Sequence, residues 1–479
     1  MLVKNLLANI ANTALNFLIP LITLPYTARV LGPEGLGIVG FAFSVAGTFL
    51  MFSGVIGTVY GTREIAKARA NTQDLQRVFS EMFFLNVFAQ TIVLIGYMGT
   101  IFLVPRFQSD LPYFLIAGLL FVGVGLNVDW YYQGIEDFGT LFKRNLLGKI
   151  VSLVFLFLFV TSKTDTLAFA FVSVTALLVG NAWAWIGALR RVSLTTKGLN
   201  FSRHPKALGV FYIINLLIVV SANVDKMILG LLGGTEVLGL YSLADKVVLL
   251  GVSITASLTM VLLPRVSEAH AQDRGKEFSD TLLVAWKFLG LLALPLWVGT
   301  FFMAPEIVFL LGGQEFLGTV GSLRVLSLNL VIVALAGILG IQVLSARGKE
   351  RFYAVSLLGS NVTLIFLSVV LVPIFQSLGT ALAMVSANLV QTGIQSFFGR
   401  DHLVPLLRNS ENWKFGVALA VLGSMTFGIR SLMVSLGFYP IVVFLGVSGL
   451  GALVFGLVLY ALRESFLLRV LSVLRVKKS

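Results

Sequence analysis

The chain has 479 residues, of which 57% are hydrophobic and only 12% are charged, and it contains no cysteine. This composition excludes a sizeable soluble domain, disulfide bonds, thiol chemistry and cysteine-ligated metal. The net charge of +13 does not indicate nucleic-acid binding, because the basic residues are scattered over many short gaps, where membrane topology and anionic lipid account for them better. The three histidines, His204, His270 and His402, lack the spacing of metal ligands, so we expect no metal site.

Long apolar segments alternate with short polar gaps along almost the whole chain. A hydrocarbon layer requires about 20 apolar residues for each helical crossing. The sequence therefore predicts about fourteen crossings, at residues 6–30, 36–60, 79–104, 112–133, 141–162, 166–190, 207–232, 239–263, 281–303, 322–345, 354–372, 378–399, 415–435 and 439–462. The first crossing has no small-residue cleavage site, so we expect a retained helix rather than a removed signal peptide. The fold class predicted is an all-α integral membrane protein.

The distribution of basic residues predicts which ends of the helices face the cytoplasm. Of the 35 Lys and Arg residues, 28 lie in the N-terminus, in alternate gaps and in the C-terminal tail. The seven others are Arg29, Arg106, Lys163, Lys226, Lys246, Arg324 and Arg430. By the positive-inside rule, both termini are cytoplasmic, and the gap that follows the first crossing is external.

Short motifs recur between the two halves of the chain. The matching pairs are 34–37 with 236–239 (Glu-x-Leu-Gly), Arg63 with Arg265, and 134–138 with 348–352 (Gly-x-Glu-x-Phe). The first two pairs share an offset of 202 residues, and all three keep their order and their place between crossings. The pattern predicts a unit of six helices that is used twice.

This repeat predicts the domain organisation. We expect an N-lobe at 1–190, a cytoplasmic linker at 191–206, a C-lobe at 207–400, two added helices at 413–462 and a basic cytoplasmic tail at 463–479. Because six is an even number, both copies enter the membrane in the same direction. The lobes are then parallel and related by a pseudo-two-fold axis along the membrane normal, and substrate sites tend to lie between such halves.

Four charges lie within the seventh and eighth predicted crossings. They are Asp225 and Lys226, late in one, and Asp245 and Lys246, early in the next. A charge at this depth costs several kcal/mol and usually faces a partner or a wet cavity. One interpretation is a neutral clamp between the helices, in which Asp225 pairs with Lys246 or Lys226 with Asp245. The other is that a lysine presents its charge to a central cavity.

The first crossing carries a row of amides and two prolines. Asn5, Asn9, Asn12 and Asn16 recur at helical spacing and so share one face, which we expect to meet protein or water rather than lipid. Hydrogen bonding between helices is the simpler explanation of this face. Pro20 and Pro25 should kink the same helix, and Arg29 lies at its outer end, where it could also snorkel to the headgroups. In the twelfth crossing, Asn388, Gln391 and Gln395 form a smaller polar row.

The remaining motifs favour transport over catalysis. The sequence has no nucleotide-binding loop, no His-Glu-x-x-His and no Gly-x-Ser-x-Gly, so we expect no enzyme and no catalytic residues. An integral-membrane glycosyltransferase would need catalytic carboxylates, but the longest external gap, 304–321, offers only Glu306 and Glu315.

Trp130, Tyr131 and Tyr132 end the fourth crossing, where an interfacial aromatic belt is expected.

The order of several motifs resembles the bacterial flippases of polysaccharide repeat units, which belong to the multidrug/oligosaccharidyl-lipid/polysaccharide superfamily. The matching motifs are Pro20-Leu-x-x-x-Pro25-Tyr26-x-x-Arg29-Val-Leu-Gly32-Pro-Glu34-Gly-x-Gly37, Tyr60-Gly-Thr-Arg63-Glu64, Asp129-Trp130-x-x-Gln133-Gly134-x-Glu136, Asn223-x-Asp225-Lys226-x-x-Leu-Gly230, Gly239-x-Tyr241 and Lys246. They cover residues 1 to about 265, whereas the ninth to twelfth crossings are similar mainly in hydropathy. Members often have twelve helices, and fourteen is a departure shared with the similar lipid II flippases.

The resemblance implies a MATE-like fold in which two six-helix bundles enclose a central cavity with alternating access. The implied cargo is a polyprenyl-diphosphate-linked oligosaccharide, for O-antigen or exopolysaccharide synthesis, turned to the outer leaflet of the bacterial inner membrane. Arg29, Lys226 and Lys246 are the candidates to hold the diphosphate, Asn9, Asn12, Asn16, Asn388 and Gln391 to line the cavity, and Pro20 and Pro25 to form a gate. A polymerase and a chain-length regulator are implied partners, and a monomer is expected because one chain supplies both lobes.

Three questions stay open at this stage. Asp225 or Asp245 could bind a coupling H⁺ or Na⁺, or the membrane potential could drive transport without any cofactor. A lipid II flippase carries a cargo of nearly the same chemistry. A multidrug or cation antiporter of the same fold would prefer a negative cavity, whereas Arg29, Lys226 and Lys246 exceed the two aspartates here.

Overall fold

The computed structural model describes residues 2–53, 59–201 and 205–476, with the backbone alone for residues 2–14, 16–17, 59, 205–212, 258, 260, 470–471 and 473–476. Within these ranges the chain forms helices joined by short turns, without a β-strand, which confirms the predicted all-α fold class. Hydrocarbon favours helices because each helix satisfies its own backbone hydrogen bonds.

The chain divides into two compact units, residues 1–239 and 240–479. The helices up to the end of the first unit are α1 (Leu2–Ser53), α2 (Val59–Ala68), α3 (Thr72–Leu103), α4 (Pro105–Gln108), α5 (Leu111–Gly125), α6 (Asp129–Gly134), α7 (Phe138–Phe159), α8 (Thr166–Leu189) and α9 (Pro205–Leu232). Helix α10 (Thr235–Ala271) begins in the first unit and continues into the second.

The second unit contains the remaining helices. They are α11 (Gly275–Phe302), α12 (Ala304–Gly312), a 3₁₀ helix (Gln314–Thr319), α13 (Val320–Ser327), α14 (Asn329–Ala336), a π-helix (Gly337–Leu344), a 3₁₀ turn (Ser345–Arg347), α15 (Glu350–Phe398), α16 (Arg400–Leu407), α17 (Asn412–Ser435), α18 (Pro440–Ala461) and α19 (Ser465–Val476). These units are not the predicted lobes 1–190 and 207–400, because α9 packs on α1 and so belongs to the first unit. The division of the transporter into two lobes stays a prediction.

Eleven helical stretches in the described residues are long and apolar enough to cross a membrane. Two of these contain a residue with non-helical backbone angles, Gly32 in α1 and Gln376 in α15, and both lie where the sequence predicts a turn between two crossings. Helix α7, with Lys143, Arg144 and Lys149, is too polar to be among the eleven but coincides with the predicted fifth crossing. The count of fourteen crossings stays a prediction.

Close packing in the first unit depends on small residues. A Cβ at Gly148 of α7 would lie 2.2 Å from the carbonyl oxygen of Ala176 in α8, and one at Gly230 of α9 would lie 2.2 Å from the ring of Phe41 in α1. Helices in lipid gain stability from such close approach, since the hydrophobic effect between them is weak. Glycine at these positions therefore sets how closely α7 packs on α8 and α9 on α1.

Ion pairs with buried members hold both ends of helix α17. At one end, Lys287 of α11 contacts Glu411 and lies 3.1 Å from the buried Glu464. At the other end, Nε of Arg430 donates to both carboxylate oxygens of Glu306, at 2.9 and 3.0 Å. These pairs attach α17 and α18 to the rest of the second unit and use Glu306 for a structural purpose.

Candidate functional site

Asp225 and Lys226 lie on α9, inside the first unit. Asp225 is 0% exposed, and its Oδ1 atom lies 3.7 Å from Nζ of Lys226, whose side chain is 20% exposed. The lysine also donates to the carbonyl oxygen of Ala222 at 3.0 Å, one turn earlier in the helix. The flexible side chain thus curls back along its own helix, which places a cation beside a buried carboxylate. The predicted pairing with Asp245 or Lys246 stays a prediction.

The next charges along the chain lie on α10, in the second unit. Asp245 is half-buried and Lys246 is exposed. They follow Tyr241, Leu243 and Ala244, all of which are fully buried. The helix therefore turns one face to the interior of its unit and carries the lysine on another.

The outer part of the first crossing is fixed to α7. The hydroxyl of Tyr26 donates to the carbonyl oxygen of Val160 at 2.6 Å, and its ring packs edge-on against Phe157 at 4.7 Å. Arg29, one turn further on, is exposed. The structure therefore leaves the Arg29 side chain at a surface of the unit.

Two predictions concern helix α1, a gate at its prolines and a cavity lining at its asparagines. Pro20 and Pro25 lie inside the helix and are partly buried, and the non-helical residue of α1 is Gly32. The gating role of the two prolines stays a prediction. The side chains of Asn5, Asn9, Asn12 and Asn16 lie outside the described part of the chain, so their role as cavity lining also stays a prediction.

The polar row of α15 divides into a packing contact and a cavity residue. Asn388 donates to Oδ1 of Asn329 at 3.0 Å. Gln391 lines a cavity of about 150 Å³ in the second unit, together with Tyr353, Thr255 and other residues of α10 and the π-helix. Both side chains thus meet protein, and their contact with cargo stays a prediction.

The expectation of an interfacial belt at Trp130, Tyr131 and Tyr132 was wrong. Each is at most 2% exposed, and they pack around Phe79 with ring centroids of Trp130 and Tyr131 at 5.3 and 5.1 Å from it. The hydroxyl of Tyr132 donates to the carbonyl oxygen of Ala184 at 2.8 Å. Tyr and Trp rings are apolar, and they are readily buried when their polar atom has a hydrogen-bond partner. The same residues also form interfacial belts, so the sequence could not distinguish the two environments.

A charged network beside these rings was missed by the sequence analysis. Arg144 of α7 pairs with Asp129 of α6 and also donates to Asn181 at 3.1 Å and Asn145 at 2.6 Å. Asn181 in turn donates to the carbonyl oxygen of Gly123 at 2.7 Å. The signal was present, since Asp129 and Arg144 have opposite charges and lie near the facing ends of two successive predicted crossings.

Basic and acidic side chains are also paired at the polar ends of the first unit. Asp137 accepts from Arg191 at 2.8 Å and from Thr140. Burial opposes ionisation of Asp137, but these hydrogen bonds outweigh it and lower its pKa. The chain after Arg191 is held too, because the buried Glu81 accepts from the backbone N–H of Asn200 at 2.8 Å. The predicted linker is therefore bound to α3 at Asn200.

The repeat-related arginines, Arg63 and Arg265, are both exposed. Arg63, in α2, is exposed, and its guanidinium lies 5.5 Å from the ring centroid of Tyr60. Arg265, near the end of α10, lines a cleft of about 810 Å³ between α10 and α11, together with Arg274, Lys276 and three acidic residues. Each arginine precedes further basic residues, Lys67 and Arg69 after Arg63, and Arg274 and Lys276 after Arg265.

The helices define the class of the protein, a multi-pass membrane protein with a MATE-like all-α fold. The lipid II flippase MurJ in an inward closed conformation is similar over 96% of this chain and 99% of its own, with a TM-score of 0.70 and 13% identity. An inward-facing multidrug transporter of the MATE family covers 85% of this chain and 96% of its own, with a TM-score of 0.65 and 16% identity. These likenesses confirm the MATE-like fold.

Within this class, the chain belongs to the polysaccharide biosynthesis protein family, whose model matches residues 2–270. The model of the lipid II flippase MurJ matches residues 234–448. A protein of Escherichia coli (strain K12) that is named for O-antigen transport is 24% identical over 406 residues, which cover 81% of this chain and 94% of that protein. The curated relative is thus named for transport, and the second family model for lipid flipping.

Proposed function

We propose that the protein is a flippase that turns a polyprenyl-diphosphate-linked oligosaccharide unit from the cytoplasmic to the outer leaflet of the bacterial inner membrane. The observation that carries this proposal is the family match over residues 2–270, because this part of the chain includes Arg29, Asp225, Lys226 and Lys246. The relative named for O-antigen transport supports the same cargo class. Both termini are cytoplasmic in this proposal, as the basic loops require.

The charge of the cargo supports the roles of the cations. A diphosphate diester carries about two negative charges, which hydrocarbon strongly resists, so a flippase must supply cations along its path. Lys226 and Lys246 lie inside predicted crossings, and Arg29 ends one. Arg63 and Arg265 add a repeat-related pair on the cytoplasmic side, where they would meet the diphosphate before it enters the membrane.

The driving force follows from the same charges. With the inside negative, the membrane potential pushes two negative charges outward with about 4–5 kcal/mol per 100 mV. A coupling H⁺ or Na⁺ at Asp225 or Asp245 is the alternative source. Neither route requires an enzymatic step.

A lipid II flippase is the second candidate, because the MurJ model matches residues 234–448. The multidrug antiporter stays a weaker candidate, because the MATE likeness shows the fold alone. In the proposal, the protein acts as a monomer and delivers its cargo to a polymerase with a chain-length regulator.

The deciding experiment uses a deletion strain of the native host. Polyprenyl-linked intermediates are extracted, identified by mass spectrometry, and assigned to a leaflet by an impermeant sugar-oxidising reagent. We expect a complete repeat unit to accumulate on the cytoplasmic side with loss of surface polymer. Accumulated lipid II with a weakened wall would favour the second candidate. Unchanged lipid intermediates with altered sensitivity to cationic drugs would overturn the proposal in favour of an antiporter.

A further inference from the structure

The two Glu-x-Leu-Gly segments pack against each other through their backbones. A Cβ at Gly37 would lie 1.7 Å from the carbonyl oxygen of Thr235, and a Cβ at Gly239 would lie 1.7 Å from the carbonyl oxygen of Pro33. Gly37 and Gly239 are equivalent in the repeat, and so are Pro33 and Thr235, because each pair is 202 residues apart. The repeat symmetry therefore exchanges the two contacts.

The glycine before each contact has a positive φ angle. Gly32 has a φ of 70° and Gly234 has a φ of 88°, and these two glycines are also 202 residues apart. The left-handed region is one that glycine adopts without steric cost. Leu36 and Leu238 are equivalent as well, and they are 4% and 0% exposed. Three features thus repeat together: the positive φ of a glycine, the backbone contact and the burial of a leucine.

Glycine at positions 37 and 239 is required by this arrangement. A side chain there would meet a main-chain carbonyl, which cannot rotate away as the end of a flexible side chain can. Small residues allow helix backbones to approach this closely in a membrane. Any larger residue must push the two turns apart.

We propose that the segments 33–37 and 235–239 form a backbone latch that closes the side of the membrane opposite the basic loops, and that this latch separates when cargo leaves toward the outer leaflet. The inference rests on the proposed function for its cargo, but the latch itself is a property of the two turns. Since glycine and main-chain atoms make the contact, it can close tightly without desolvating a charge.

The absence of cysteine from the chain makes the latch directly measurable. Leu238→Cys places a thiol at a buried latch position, and an impermeant maleimide applied from outside reports how often the latch is open. We expect Gly37→Ala to raise the labelling rate roughly tenfold or more, the ratio that about 1.4 kcal/mol of strain in the closed state produces. By symmetry, Gly239→Ala should do the same to Leu36→Cys.

Gly99→Ala is the matched control, because a Cβ at Gly99 of α3 would meet nothing within 4 Å. It should leave the labelling rate unchanged. If Gly37→Ala protein is present in normal amount and labels no faster than the control, the latch is wrong. Labelling needs no cargo, so this outcome is separate from a failure of the proposed function.

A second variant keeps both glycines. Glu34 and Glu236 are the equivalent exposed residues of the two turns, so Glu34→Cys with Glu236→Cys should fold normally. A cleavable bis-maleimide that joins them should reduce surface polymer at least tenfold, and reduction of the linker should restore it. Full polymer export by the cross-linked protein would show that the turns do not need to separate.

Discussion

Lys287→Met is the substitution whose effect the structure defines best. The lysine side chain is 8% exposed and lies between Glu464, which is 0% exposed, and Glu411. Removing the cation leaves a carboxylate buried in the second unit without its partner, and the loss of one member of a buried ion pair costs about 3–5 kcal/mol. Because so little of the lysine is exposed, solvent screening reduces this cost only slightly.

The assay is thermal unfolding of the purified protein in detergent, followed by tryptophan fluorescence. Trp286 is a suitable reporter, since its indole N–H donates to Oδ1 of Asn412 at 3.0 Å, beside Glu411. At about 2 °C per kcal/mol for a unit of this size, we expect Tm to fall by at least roughly 6 °C. Lys276→Met, which removes an exposed lysine from the same helix, is the control and should change Tm little.

The double variant Lys287→Met with Glu464→Gln tests the physical reason. It removes both charges, and we expect it to recover more than about half of the loss, because no buried ion is then unpaired. Glu411 keeps its contact with Lys414, 2.6 Å away. A double variant as unstable as Lys287→Met alone would show that packing, rather than the unpaired carboxylate, accounts for the effect.

The same cluster predicts a pH dependence. Burial acts to raise the pKa of Glu411, but hydrogen bonds from Lys287, Lys414 and Ser465 outweigh it and lower the pKa from 4.5 to about 2. A lowered pKa in the folded state means that the stabilisation is complete above pH 4.5 and is lost as the pH falls toward 2. We therefore expect Tm to decline over this window in the wild type and less in Glu411→Gln; equal declines would contradict the assignment.

Three further predictions concern the first unit and the cargo. Arg29→Ala should abolish surface polysaccharide while Arg29→Lys retains part of it, because lysine keeps the charge; full export by the alanine variant would exclude a role in binding the diphosphate. If Lys246 holds cargo, Lys246→Gln should reduce surface polymer, and adding Asp225→Asn should not restore it; restoration would instead establish the clamp between the helices. Arg144→Met should lower the Tm of the purified protein, because the loss of one member of a buried ion pair costs about 3–5 kcal/mol. Asp129→Asn in the same chain should recover part of this loss, and an unchanged Tm in Arg144→Met would refute the role of this pair.

The sequence by itself determined the class, the repeat and the order of the elements. Apolar runs of about 20 residues encode membrane helices directly, since hydrocarbon tolerates few other backbones. The offset of 202 residues, read from Glu-x-Leu-Gly, also marks the two left-handed glycines and the two backbone contacts of the structure. Local chemistry was sufficient for the turns, because a turn between two helices depends on a few neighbouring residues, whereas the contact between the two turns is tertiary.

Only the tertiary structure decided which polar groups are partners. Trp130 and Tyr132 have the composition of an interfacial belt, yet they are buried, because α3 and α8 pack over them. Lys287 and Glu411 are 124 residues apart, and no periodicity in either segment could have paired them. A buried charge is stable only beside its partner, and that partner is supplied by how the helices pack rather than by neighbours in the chain.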